Sequence, residues 1–174
     1  MHNNILDTIQ DENSRRFAGM FPEFSAPILE KLHFLIIEFG FDEPKFETAP
    51  RECWTSYKRD DAEIEIAYEP LSLPWGYVKL FSGGGGERLP LKELMNQYEF
   101  HVDEQKYRRY DEVSKKLFAL LDSPEKADEY ARKSKRQLEE AVALRVEDLA
   151  TFLKAHLRDI LSNSQHKMTR QDHR

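Results

Sequence analysis

The eight residues AEIEIAYE at 62–69 alternate apolar and acidic side chains almost without exception. A period of two satisfies a β-strand with one face covered and the other wet, and it scatters both kinds of side chain around a helix. Ala62, Ile64, Ile66 and Tyr68 therefore share one face, and Glu63, Glu65 and Glu69 the other. Such a strand needs paired neighbours and a layer over its apolar face. CWTSYK (53–58) precedes it across the short link RDD, and YVKLFS (77–82) follows the Pro/Gly-rich turn EPLSLPWG. In YVKLFS, Val78 and Leu80 lie opposite Tyr77, Lys79 and Phe81. KFETA (45–49) reads as one more strand before Pro50. The expectation is a three- or four-stranded antiparallel meander.

The covering layer comes from two places. FSAPILEKLHFLIIEFGF (24–41) repeats Ile28, Leu32, Leu35, Ile36 and Phe39 at helical spacing, with Phe34 and Ile37 widening the stripe. Ser25 is the expected N-cap, with Phe24 and Leu29 as a hydrophobic staple, and Gly40 the left-handed stop. In the second half, LPLKELMNQY reads as a short helix, while YEFHV is ambiguous. YRRYDEVSKKLFALL sets Tyr107, Tyr110, Val113, Leu117 and Leu121 on one stripe. Ser123-Pro124-Glu125 is a helix start, and a helix of up to about 36 residues can follow it. Its stripe runs through Ala127, Ala131, Ser134, Leu138, Val142, Val146, Leu149, Leu153, Leu157 and Ile160. The fold class is α+β: an N-terminal helix packed on the meander, then a helical C-terminal half with one long helix. The boundaries that follow are a polar arm or short helix over 1–20, helix plus sheet over 21–82, a glycine hinge at 83–86, a helical region over 87–162 and a disordered tail over 163–174.

A chain of 174 residues fits one domain. No run approaches the length of a membrane span, and MHNNILDTIQDENSRR lacks the basic-then-apolar order of a secretory signal. One cysteine, Cys53, permits no internal disulfide, so a cytoplasmic location is expected. The net charge of −6 hides an asymmetry. Residues 1–105 carry 10 Lys/Arg against 20 Asp/Glu, and residues 106–174 carry 16 against 12. The acidic half favours a basic protein partner and repels nucleic acid.

Few residues suggest chemistry. The glycines of FSGGGGERLP lack the lysine and hydroxyl of a phosphate-binding loop, and Arg88 stands where a dinucleotide fingerprint needs its third glycine. They read as a hinge. Cys53 on a strand reads as a small buried hydrophobe. Glu99, His101 and Asp103 would share one side of a strand and are the nearest approach to a metal cluster; no cofactor or metal is expected. His33 falls among helix-core residues. Arg132, Lys133, Lys135 and Arg136, with Arg108, Arg109, Lys115 and Lys116, read as a solvated helix face rather than a nucleic-acid site. Glu63, Glu65 and Glu69 have Lys58, Arg59 and Lys79 within cross-strand reach. With Trp54, Tyr57 and Trp75 nearby they also make an acidic, aromatic docking face.

The run from FSAPILEKLHFLIIEFGF through AEIEIAYEP, followed by DLATFLKAHLRDIL, resembles small uncharacterised bacterial domains, some of them proposed as immunity proteins of polymorphic toxin systems. The likeness covers Phe24–Leu80 and Asp148–Leu161 and rests on core patterns. It implies a non-enzymatic protein that binds and neutralises a partner, and it brings no catalytic residues. The leading expectation is thus a protein-binding module acting through Trp54, Tyr57, Glu63, Glu65, Glu69 and Trp75 on a basic partner. Two alternatives stay open: a small metal- or nucleotide-dependent hydrolase, and a structural helper that self-associates through the long helix.

Overall fold

The computed structural model describes residues 5–82, 85–120 and 122–171. Three short helices come first: α1 (Glu12–Met20), α2 (Pro22–Lys31) and α3 (Phe34–Phe39). Five strands follow: β1 (Lys45–Ala49), β2 (Glu52–Arg59), β3 (Ala62–Tyr68), β4 (Trp75–Ser82) and β5 (Gly85–Pro90). Then come α4 (Leu91–Gln97), α5 (Arg108–Phe118), α6 (Pro124–Lys133) and α7 (Lys135–Gln171). The fold is α+β. Its sheet is an antiparallel meander in the order β1-β2-β3-β4-β5, one strand wider than the sequence suggests.

The alternation in β3 is realised as expected. The inner face carries Phe46 from β1, Cys53, Thr55 and Tyr57 from β2, Ala62, Ile64, Ile66 and Tyr68 from β3, and Val78 and Leu80 from β4, all buried. Phe24, Ile28, Leu32 and Leu35 from the N-terminal helices meet it, as do Leu91, Leu94 and Met95 of α4. The largest contribution is that of α7: Val146, Leu149, Phe152, Leu153 and Leu157 are all inaccessible to solvent. Burying a side chain of this kind stabilises by roughly 1.5–3 kcal/mol, so α2 and α7 together carry much of the fold.

Several local expectations are corrected. Ser25 is not an N-cap. Pro22 starts α2 three residues earlier, because it has no N–H to leave unpaired at N1. The Ser25 hydroxyl, buried inside the helix, donates to the carbonyls of Ala18 (2.7 Å) and Phe21 (3.0 Å). The helix also breaks at Leu32–His33, which lets Leu32 and Leu35 both reach the core. As a result Ile37 is 71% exposed and His33 points to solvent rather than into the core. Gly40 does end α3, at φ +70. Of the arm or short helix expected over 1–20, the described part, residues 5–20, is largely helical and packed against the sheet. Asp11 caps α1 by accepting from Ser14 N–H, Ile9 and Ala18 are buried, and the buried Ser14 hydroxyl accepts the β1 N–H of Phe46 at 2.7 Å.

The glycine run belongs to a hairpin. Gly85 and Gly86 pair with Ser82 and Phe81, so the segment expected to lead from sheet to helix is instead the start of β5. Gly83 and Gly84 of the proposed hinge lie outside the described residues. The long helix is interrupted at Ser134, whose N–H reaches both Tyr130 and Ala131 carbonyls, and α7 then runs to Gln171 through part of the segment expected to be disordered. Leu121 of the α5 stripe lies outside the described residues. The 3-10 turn Glu104–Tyr107 that leads into α5 is tied to α7 by the buried Asp148, which accepts from the Tyr107 hydroxyl (2.5 Å) and from Lys106 Nζ (3.2 Å).

One glycine is dictated by packing. A Cβ at Gly76, on the inner face of β4, would overlap the Glu65 carbonyl oxygen and press on Leu91 Cδ1. The first of these is backbone and cannot swing aside. Gly76→Ala should therefore destabilise by about 2–3 kcal/mol, read as a lower urea midpoint, whereas Gly86→Ala meets only ordinary contacts and serves as the control. Equal midpoints for the two variants would contradict this packing.

Candidate functional site

The face of the sheet opposite the core is built in rows by strand register. Glu47, Trp54, Ala67 and Trp75 form one row across β1 to β4. Lys45, Ser56, Glu65, Tyr77 and Pro90 form the next, and Lys58, Glu63, Lys79 and Arg88 the third. None of these side chains belongs to the core cluster. Among the described residues, no hydrogen bond, ion pair or ring contact joins Trp54, Trp75 or Tyr77 to a helix. All three are half-buried.

The third row and its neighbours are electrically closed. Glu63 is 7% exposed and lies between two ammonium groups, Lys58 Nζ at 3.3 Å and Lys79 Nζ at 3.1 Å. Lys79 also reaches Glu65 Oε2 at 2.8 Å, and Glu65 Oε1 accepts from Arg88 Nη2 at 2.8 Å. The Arg88 guanidinium lies over the Tyr77 ring, 3.6 Å from its centre. This zigzag, Lys58–Glu63–Lys79–Glu65–Arg88, holds three cations and two carboxylates. Burial works to lower the Lys79 pKa, but the hydrogen bonds and charges of Glu65 and Glu63 outweigh it and leave the ammonium raised.

The opposite end of the same face is open. Beyond the Cys53↔Tyr68 pair, the next residues on β2 and after β3 are Glu52 and Glu69, both exposed. Among the described residues neither makes an ion pair, nor does Glu47, whose carboxylate accepts the Trp54 indole N–H at 2.8 Å. Arg51, beside Glu52 in the β1–β2 turn, and Lys45, two residues from Glu47 on β1, are exposed cations close to them in sequence. The two indoles thus stand on either side of Ala67, two strand spacings or about 10 Å apart at the backbone, with carboxylates around them.

Of the six residues singled out from sequence, Trp54, Glu63, Glu65 and Trp75 share this outer face, and Glu69 lies just past the end of β3. Glu63 and Glu65 have their charge met within the chain. Tyr57 faces the other way: it is 1% exposed, and its hydroxyl donates a long bond of 3.5 Å to the Ile28 carbonyl. Glu47 and Glu52 escape sequence reasoning, because KFETA alone does not say which partner its residues face. Register supplies that information by setting Glu47 opposite Trp54.

Other candidates come apart. Glu99, His101 and Asp103 are exposed and lie on no strand; Glu99 has φ +52, and Asp103 caps a short 3-10 turn at Gln105. Among the described residues, no three His, Cys, Asp or Glu side chains converge as a metal site would require. Cys53 is fully buried and its thiol is pushed up to about 12, by burial first and the Glu23 charge second, which keeps it protonated and inert at neutral pH. The basic helix residues are largely matched locally: Arg108 with Glu112, Lys133 with Glu129, Lys135 with Glu139 and Arg136 with Glu140. No helix is long and apolar enough to cross a membrane, among the described residues.

Compared with known proteins, the chain matches no family model, no curated protein and no solved structure. The outer face therefore has to be read from its own chemistry.

Tyr57 gives a test of the face assignment. Burial raises its phenol far above the ordinary value. An unfolded tyrosine ionises near pH 10, roughly, while the folded one stays protonated. The folded state then holds more protons, so stability is complete below that pH and falls as pH rises past it. Tyr57→Phe should lose only about 0.5–1 kcal/mol at neutral pH, given the long hydrogen bond, and should flatten the fall in urea midpoint measured up to about pH 11. Tyr68 and Tyr107 are raised with the same sign, so the slope shrinks rather than vanishes. An unchanged slope would place the Tyr57 hydroxyl in water.

Proposed function

We propose that this protein is a non-enzymatic binding module, immunity-like in the sense of the sequence resemblance, that engages a basic protein partner through the outer face of its sheet. The observation that carries the reading is the open end of that face. Two tryptophans stand half-buried on the outer face of the sheet with no hydrogen bond, ion pair or ring contact to a helix, beside Glu47, Glu52 and Glu69, which make no ion pair among the described residues. Tryptophan is the side chain most enriched among residues that dominate binding energy, since one truncation removes a large flat contact. Leaving such groups on a surface costs solubility, and their grouping in one row is what a recognition patch requires. The surrounding carboxylates supply long-range steering toward a cationic surface.

The geometry also narrows which residues of the face engage. Glu63 and Glu65 are occupied by the lysine and arginine ladder, so a partner would have to break existing ion pairs to use them. Glu52, Glu69, Trp54 and Trp75 carry no such obligation beyond the single Trp54–Glu47 bond. The contact is centred on them.

The test is capture from a native, nuclease-treated lysate of the protein's own host, comparing the wild type with Trp54→Ser/Trp75→Ser and with Glu69→Lys. A single stoichiometric basic protein should be retained by the wild type. Its affinity should fall roughly 30-fold or more in the tryptophan variant, with circular dichroism and urea midpoint showing an intact fold. Equal retention by a folded variant would sink the assignment to this face.

A further inference from the structure

The chain contains its own example of how this face holds a cation. On the second row, Tyr77 offers a ring and Glu65, directly opposite it, a carboxylate; Arg88 lies flat on the ring at 3.6 Å and donates to the carboxylate at 2.8 Å. Arg88 reaches that seat because β5 runs alongside β4 up to the Tyr77↔Pro90 pair. At Leu91 the chain leaves the sheet as α4, so no β5 residue pairs with Trp75. One row along, the same combination recurs with larger rings and without the arginine. Trp75 and Trp54 flank Ala67; Glu47 lies directly across from Trp54, Glu52 lies two residues before Trp54 on the same strand, and Glu69 lies two residues beyond Ala67. Trp54 leans toward β1, since its indole N–H is held by Glu47 at 2.8 Å, and no ring contact joins the two indoles.

We infer that the Trp54–Ala67–Trp75 row is a seat for arginine side chains of a partner's exposed basic segment, each guanidinium stacking on an indole and pairing with Glu52 or Glu69. This rests on the reading of the outer face as a recognition surface and adds what that surface recognises. Arginine suits it better than lysine for two reasons. A planar guanidinium can lie on a ring while its edge N–H groups reach a carboxylate, as Arg88 does, and it gives up its hydration more readily. Charge complementarity points the same way: among the described residues Glu47, Glu52 and Glu69 make no ion pair with Lys45, Arg51 or any other cation, whereas the ladder end carries a cation in excess. Indole is also the best of the aromatic rings at attracting a cation through its face, so the empty seat is intrinsically stronger than the filled one.

The two tryptophans of the chain are Trp54 and Trp75, so tryptophan fluorescence, excited on the long-wavelength side of tyrosine absorption, reports on this row alone. The experiment titrates the full chain with a short capped peptide of alternating glycine and arginine, and with the same peptide carrying citrulline, which keeps the shape and loses the charge. The arginine peptide should change the emission saturably, and the citrulline peptide should bind at least about tenfold more weakly. Glu52→Gln/Glu69→Gln keeps both fluorophores on an exposed, fold-neutral change; it should weaken the arginine peptide by roughly tenfold and reduce its sensitivity to salt. Equal responses to arginine and citrulline, or no saturable response from a folded protein, would overturn the arginine seat. If a partner is nevertheless captured in a manner that Trp54→Ser/Trp75→Ser abolishes, the recognition face stands and only its arginine chemistry fails. If the peptide binds but capture ignores those substitutions, the failure lies in the functional reading instead.

Discussion

A sheet whose inner face presents Phe46, Tyr57, Ile64, Ile66, Val78 and Leu80 in an unbroken layer must be covered along its whole width. The contact of α7 with that layer and with α2 is the constraint on which the remaining structure depends. Val146, Leu149, Phe152, Leu153 and Leu157 repeat at steps of three and four, so one rigid helix spans the layer without turning any of them to water. Phe24, Ile28 and Leu32 fill the other side of the groove, and Phe24 stacks on Tyr68 at 5.3 Å. Tyr98, Phe100 and His156 close around Phe152, with ring centres of Phe100 and Phe152 5.5 Å apart. The irregular segment after α4 is thereby held by its aromatic side chains, even though it is neither helix nor strand.

Because the core lies on one side only, the packed layer and the proposed recognition face are separated by the thickness of a single sheet. The ion pairs of the outer face stabilise little individually, since partly exposed pairs contribute about 0–1 kcal/mol each. Their structural role is register. Glu63 sits opposite Lys58 on one side and Lys79 on the other, so a one-residue slip of β3 against either neighbour would carry the glutamates into the apolar layer. Trp75, by contrast, makes no side-chain hydrogen bond or ion pair among the described residues, and Trp54 makes only its bond to Glu47 on β1.

Much of this architecture was legible in the chain, and what was hidden has identifiable causes. AEIEIAYE and YVKLFS show their faces because both alternate cleanly. CWTSYK does not, because each face mixes an aromatic ring with polar side chains, Cys53, Thr55 and Tyr57 on one and Trp54, Ser56 and Lys58 on the other. The two-residue turn Asp60–Asp61 resolves it: Arg59 must then pair with Ala62, and Tyr57 with Ile64, which turns Tyr57 inward. Parity counted from the turn carried information that residue type did not. β5 was concealed differently. GGERLP has low intrinsic strand preference, and it is a strand because β4 offers it a free edge. Ser25 misleads as an N-cap because Pro22, three residues earlier, is the better first residue of a helix.

The charge layout of the outer face has a consequence for how a partner would approach. Along β3 from Glu63 to Glu69 the chain advances six residues, about 20 Å in extended form. That exceeds the Debye length of roughly 8 Å at physiological ionic strength. The surplus cation of the ladder therefore does not cancel the carboxylates at the tryptophan end, and each end acts locally on whatever comes near. On the proposed reading, a basic segment would be drawn to Glu47, Glu52 and Glu69 and turned away from Lys58, Lys79 and Arg88, so the face would impose an orientation as well as an affinity. An evenly acidic face would attract the same segment without aligning it. The internal neutralisation of Glu63 and Glu65 is in this sense what gives the surface a direction.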